Sequence, residues 1–206
     1  MSKSDTRIDA RRATKGQIAL ASKARIRAFG RDKLSTVGGV DVAYSESATM
    51  AAYAELDLDN GRLLSLTKSV PPSQVSYQPS FLAFREAGPI LNIMREVGAF
   101  PQLMLINGHG LAHPCLCGLA THLGVVLKLP TIGLAKGMLG SPMSTYNRLF
   151  CQKKGKLYVS PGNLISFQES VDIVNSLPTK YGYPEPLGSA HHESKGALAA
   201  KLWKKG

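Results

Sequence analysis

Apolar residues along this chain switch between two periods. Val37 to Tyr44 (VGGVDVAY), Thr49 to Leu56 and Leu63 to Val70 are strand-length apolar or alternating runs. Asp57-Leu58-Asp59-Asn60-Gly61 joins the last two, and Asn60-Gly61 is a strong hairpin signal. Three consecutive strands in an antiparallel meander are predicted. From Phe81 through Ile90, Leu91, Ile93 and Met94 towards Val97 the spacing becomes helical. Leu103 to Ile106, bounded by Pro101 and by Asn107-Gly108, predicts a buried fourth strand that ends in a sharp turn. Leu119 to Leu127 follows as a mostly apolar helix and Pro130 to Leu134 as a short fifth strand. A helix between strands four and five makes them parallel.

The flanks are less regular. Arg7 to about Phe29 sets Ile8, Ile18, Leu20, Ala21 and Ile26 among Arg, Lys and Gln, which predicts one or two basic amphipathic helices ending before Gly30. Gly140 to Lys156 has no periodicity and reads as a loop whose Lys153, Lys154 and Lys156 lean on a phosphate backbone. Leu157 to Ser160 is a short strand or edge segment that stops at Pro161-Gly162. Ser166 with Glu169 forms a capping-box pattern, so a helix should run from Phe167 to about Leu177. Pro178 to Pro186 reads as a loop, and His191-His192-Glu193 opens a basic C-terminal helix ending at Leu202-Trp203. No internal repeat or low-complexity tract is present.

Composition narrows the class. With 206 residues, 44% hydrophobic and 19% charged, the chain predicts one folded domain over 1–206, with a basic N-terminal helix and a basic C-terminal helix. No apolar run approaches a membrane span, and MSKSDTRIDARRATKG lacks a secretory core, so no membrane association is expected. Cys115, Cys117 and Cys151 make an odd, poorly spaced set. That predicts reduced thiols and a cytoplasmic protein, with monomer as the default state. His113-x-Cys115-x-Cys117 is a candidate soft-metal cluster, but no second pair with zinc-site spacing follows. The net charge of +11 is uneven: ten Lys/Arg against three acids in 1–33, four against seven in 34–100, and four lysines without an acid in 194–206. An acidic middle in a basic envelope suits a polyanion held around a cation site, and solvated lysines of an ordinary basic protein give the same count.

Candidate chemistry gathers around Leu103–His113, LMLINGHGLAH. Gly108 and Gly110 let backbone approach a ligand closely, with Asn107, His109 and His113 around the same turn. Asp41 lies inside an apolar strand, where a carboxylate needs backbone partners or a metal. Glu86 lies early in the Phe81 helix. Tyr77 sits at a loop tip before Pro79, as a surface anchor or as a wedge between bases. Lys136 stands at a strand end, where it can neutralise a phosphate or reach solvent.

VGGVDVAYS, SYQPSFLAFRE, INGHGLAHP, LPTIGLAK and VSPG, in that order across roughly residues 36–193, resemble the endonuclease V family. The resemblance implies an α/β, ribonuclease-H-like fold: a mixed sheet, antiparallel meander plus parallel strands, flanked by helices. It implies a nuclease that recognises inosine or deoxyinosine in DNA or RNA and hydrolyses the second phosphodiester bond 3′ to it, with Mg²⁺, or Mn²⁺ as a substitute. Asp41 and Glu86 match metal-binding carboxylates, and Asn107 stands where the family has a third, an aspartate. His113, Lys136 and His191 match polar residues near the scissile phosphate. Tyr77 matches the wedge, and Pro79, Ser80, Leu82, Gly108, Gly110, Gly118, Ala135 and Leu139 match the lesion-binding walls. Four other positions depart: Cys115 replaces a basic residue, Asn163 a histidine, Ser76 a proline and Ser80 a glycine. The stretch from Lys136 to Val159 is shorter than usual and is expected to lack an edge hairpin. With an amide at 107, the alternative function is a relative that binds lesions without efficient cleavage.

Overall fold

The computed structural model describes residues 8–71 and 75–203. The N-terminal Arg7, Pro72 and the lysines at 204 and 205 lie outside them. Numbered in chain order, the strands are β1 Thr36–Tyr44, β2 Thr49–Asp57, β3 Leu63–Val70, β4 Leu103–Asn107, β5 Thr131–Ala135, β6 Gln152–Lys154, β7 Leu157–Asn163, β8 Thr179–Lys180 and β9 Tyr183–Pro184. The helices are α1 Ala10–Ala21, α2 Leu82–Val97, α3 Leu119–Leu127, α4 Thr145–Phe150, α5 Phe167–Ser176 and α6 Glu185–Trp203. Seven strands form one sheet in the order β3-β2-β1-β4-β5-β7-β6, and β8 pairs with β9 in a separate two-stranded sheet. β1, β4 and β5 are parallel to one another, and the remaining pairs in the sheet are antiparallel. The expected meander and parallel pair are both present.

β4 is fully buried from Leu103 to Ile106 and supplies both cores. Met104 and Ile106 pack with Val40, Val42, Ile90, Ile93 and Leu123 under α2 and α3. Leu103 and Leu105 pack with Ile132, Val159, Val174 and Leu187 under α5 and α6. A strand covered on both faces needs a continuous apolar run, which is what LMLI provides. α6 crosses β1 and β2, where Ala52, Ala54 and Ala190 keep the gap narrow. Gly39 is required here: a Cβ on it would lie 2.4 Å from the Leu187 backbone nitrogen. This close approach carries residues of α6 down to Asp41.

Three expectations are corrected. The N-terminal helix stops at Ala21, because the following residues spend their polar groups on the body of the fold: Arg25 N–H donates to Asn163 Oδ1 (3.0 Å), and Phe29 and Gly30 N–H donate to the Glu169 carboxylate. Gly140–Lys156 is not all loop, since it holds α4 and β6. The edge hairpin expected to be missing is therefore there in short form, turning at Gly155 with φ +56°. The C-terminal helix begins at Glu185, six residues before His191. Pro186, taken for a loop residue, sits in the first turn, where a proline lacks no partner. The Ser166–Glu169 capping box is present.

Candidate active site

The register of β1 and β4 makes the site. Val40 pairs with Ile106 in parallel, so the next residues, Asp41 and Asn107, stand side by side where β4 ends. Asp41 is buried, and its carboxylate accepts three hydrogen bonds. Asn107 Nδ2 donates to Oδ1 at 2.7 Å, while His191 Nδ1 and Ser194 Oγ donate to Oδ2 at 2.9 Å each. A carboxylate only accepts, so Nδ1 of His191 carries the proton, and Nε2 has no partner among the described residues. The Tyr183 hydroxyl makes a long contact to Asn107 Oδ1, 3.5 Å, and the Lys136 ammonium lies 4.9 Å from the Tyr183 ring centre. Burial first, then the charge of Asp41, pushes the Tyr183 phenol up to about 12.

Glu86 reaches the same place from α2. It is 7% exposed, and among the described residues no donor is hydrogen-bonded to its carboxylate. Burial first, then Asp41, pushes its pKa up to about 8, with the Arg85 guanidinium opposing. A buried carboxylate beside another, without donors of its own, calls for a proton or a cation.

Beyond these two acids a cavity of about 570 Å³ opens, and its far wall is a pinned loop. Ser80 has φ +67°, a left-handed conformation that a glycine would adopt freely. Its carbonyl oxygen accepts from Gln17 Nε2 at 2.7 Å and from His113 Nε2 at 2.9 Å. His113 Nδ1 in turn accepts from the Cys115 N–H, so this imidazole is neutral, and burial above all holds its pKa down at about 4. Gln17, 1% exposed, ties α1 to this wall.

Of the residues singled out in the sequence, Asp41, Glu86, Asn107, His113, Lys136, His191, Tyr77, Ser80, Leu82, Gly108, Gly118, Ala135 and Leu139 all line this cavity. Pro79 and Gly110 do not; a Cβ on Gly110 would meet the Pro161 carbonyl oxygen at 2.1 Å, so that glycine serves the packing of β7. Cys115, Cys117 and Cys151 are free thiols, and no group of three or more His, Cys, Asp and Glu side chains among the described residues is placed to hold a metal ion. His113 spends both ring nitrogens on hydrogen bonds, to the Ser80 carbonyl and from the Cys115 N–H, so His113-x-Cys115-x-Cys117 forms no such group.

A profile of the endonuclease V family matches residues 18–192. The chain belongs to the endonuclease V family. Endonuclease V of Pyrococcus horikoshii is 38% identical over 168 residues, 81% of this chain and 76% of that one. The Thermus thermophilus enzyme is 34% identical over 89% of this chain and 91% of its own length. Among solved structures, endonuclease V of Ciona intestinalis in complex with a 24mer DNA containing an inosine followed by a ribo-adenosine superposes with a TM-score of 0.79. Its identity is 26%, and the match covers 92% of this chain and 98% of that one. Endonuclease V of Streptomyces avermitilis has the same TM-score at 27% identity, with 98% of both chains covered.

Two positions that depart from the family resemblance have structural roles of their own. Ser80 holds a left-handed conformation with φ +67°, which a glycine adopts without strain. Asn163 has become a staple: its Nδ2 donates to the Gly124 carbonyl at 2.8 Å while its Oδ1 holds Arg25. Sequence reasoning missed Gln17, Tyr183, Ser194 and Lys195. The last two were findable, because His191, Ser194, Lys195 and Leu198 follow the i, i+3, i+4, i+7 spacing of one helical face. Gln17 was not, since its partners are backbone carbonyls 63 and 100 residues away.

Proposed function

We propose that the protein is a divalent-metal-dependent endonuclease that recognises inosine or deoxyinosine in nucleic acid and hydrolyses the second phosphodiester bond on its 3′ side. The observation that carries this reading is the buried Asp41–Glu86 pair at the mouth of a base-sized cavity, in a chain of this family. The donor set fits a hard cation. Glu86, Asp41 and Asn107 Oδ1 are all oxygen ligands, suited to Mg²⁺ with Mn²⁺ as a substitute. When bound there, the ion supplies an activated water and stabilises the departing 3′ oxygen.

The chain's own residues do the rest. The cavity's size falls within the roughly 300–1,000 Å³ usual for small-ligand sites, enough for a base turned out of its stack. Tyr77, 56% exposed at the rim, fills the gap that base leaves. Gln17 and His113 keep the Ser80 loop rigid against the base. Lys136 offers its charge to the non-bridging phosphate oxygens, and His191, oriented by Asp41, presents Nε2 for proton transfer. The reading covers inosine in DNA or in RNA, and the assay below compares the two.

The experiment is cleavage of oligonucleotides carrying one inosine, in DNA and in RNA, with Mg²⁺ or Mn²⁺ and with Asp41→Ala as control. A cut one nucleotide beyond the lesion on its 3′ side, lost in Asp41→Ala, is expected. Lesion-selective binding with no cleavage refutes nuclease activity and supports a second reading, a binding protein. One observation favours that second reading: the Asn107 amide occupies the Asp41 oxygen that a cation would use.

A further inference from the structure

A second hollow, of about 600 Å³, adjoins the first and shares Lys136 with it. The β6–β7 hairpin forms one side through Lys153, Lys156 and Tyr158, and the β8–β9 turn forms the other through Tyr181. No carboxylate lines it among the described residues. Lys136, Lys153 and Lys156 have no ion-pair or hydrogen-bond partner among the described residues. Strand alternation sorts the neighbouring lysines: Lys154 turns to the opposite face, where Nζ donates to the Val174 carbonyl oxygen at 2.7 Å. Lys153 instead lies over the Tyr158 ring, 5.9 Å from its centre.

Tyr181 is an independent observation. It occupies the first central position of a two-residue turn, with φ +53°, followed by Gly182 with φ +79°. Asn or Gly is usual at that position, and a bulky side chain in the left-handed region is strained. The ring nevertheless stays 53% exposed, its contacts being a stack on His192 at 4.3 Å and 7° and the Lys180 ammonium 5.7 Å from its centre. Strain retained at an exposed aromatic beside unpaired cations marks a platform for a ligand.

We infer that this groove binds the single-stranded flank of the nucleic acid next to the lesion, its phosphates on Lys153 and Lys156 and a base stacked on Tyr181. The inference rests on the proposed inosine endonuclease function. Lysines hold a backbone without reading sequence, and every base has a face to stack. Lys136, common to both hollows, makes the groove continuous with the cutting site.

The test measures fluorescence anisotropy with labelled single-stranded DNA in Ca²⁺. The probes are a short core carrying inosine or guanosine, and the inosine core extended on its 5′ or its 3′ side. Wild type should prefer the inosine core and gain affinity from one extension. Lys153→Ala/Lys156→Ala should abolish that gain and reduce the salt slope on the extended strand by about 1.4. Tyr181→Ala should weaken extended-strand binding about five-fold or more, and Tyr181→Phe should restore it. Tyr181→Asn, which suits the positive φ, should raise Tm and still bind the extended strand as poorly as the alanine variant. All variants should bind the core like wild type. Variants that lose nothing on extended strands overturn the groove, as does Tyr181→Asn binding like wild type. A wild type that binds both cores equally overturns the inosine function instead.

Discussion

Asn107→Asp puts a carboxylate where the family resemblance implies one and inverts the electrostatics of the site. In the native chain Asn107 Nδ2 donates to Asp41 Oδ1 at 2.7 Å, so the amide stabilises a buried charge in place of a cation. The substitution removes a hydrogen bond to a charged group, worth about 1.5–3 kcal/mol. It also sets a second negative charge roughly 4 Å away, a repulsion on the order of 4 kcal/mol at an effective dielectric near 20, before screening. Screening, and uptake of a proton by one of the two carboxyls, relieve most of that repulsion, so a net loss of about 3 kcal/mol without metal is expected, which lowers Tm by roughly 6–12 °C in a domain of this size. With a divalent ion the same added charge becomes attraction. If only about 1.4 kcal/mol survives desolvation, the metal concentration for half-maximal activity falls about ten-fold. Thermal melts in EDTA and across a Mg²⁺ titration, paired with inosine-strand cleavage, measure both halves. Equal melting in EDTA together with an unchanged metal requirement would refute the argument, because Asn107 would then lie outside the metal site.

Gly39→Ala should lose about 1–3 kcal/mol and, by lifting α6 and His191 from Asp41, depress kcat more than lesion binding; Gly88→Ala, whose Cβ meets nothing within 4 Å, should add about 0.5–1 kcal/mol by the same melts. Gln17→Ala should cost about 1–3 kcal/mol and raise KM for inosine strands more than it lowers kcat, since it frees the Ser80 loop and leaves the acids untouched. Burial acts to raise the Glu169 pKa, but hydrogen bonds from Ser166, Phe29 and Gly30 outweigh it and leave the carboxyl below its usual range. A depressed pKa contributes stability above the unfolded value that is lost as pH falls through the folded one. Urea melts should therefore show Glu169→Gln about 1 kcal/mol less stable at pH 7, the gap closing below about pH 4.

Elements buried on one or both faces announced themselves. β3 and α3 have the predicted limits, and β1, β2, β4 and β5 shift by no more than a residue at either end, because burial imposes a period and a turn or a proline punctuates it. What escaped was built from polar or small residues. β6 is Gln-Lys-Lys at the sheet edge, and α4 buries only Asn147 along its six residues. The start of α6 is hidden because its buried residues include Gly188, Ser189, Ala190 and Ser194, which produce no apolar stripe. In that helix, smallness is the signal, as it lets the backbone lie against Gly39.

The site was legible where a residue contradicted its surroundings and silent where chemistry depended on pairing. Asp41 inside VGGVDVAY is anomalous in one dimension, and so is Asn107 at the end of LMLIN. That the two touch follows only from the parallel register of β1 on β4, which no local pattern specifies. Glu86 shows the reverse: as a helix-start acid it was ordinary in sequence, yet its carboxyl is pushed well above the usual carboxylate range, because burial and the neighbouring Asp41 act on it together. The two acids therefore differ in what they lack. Asp41 already has three donors, whereas Glu86 has none among the described residues, so a cation entering this site gains most at Glu86 and must displace Asn107 Nδ2 to reach Asp41 Oδ1.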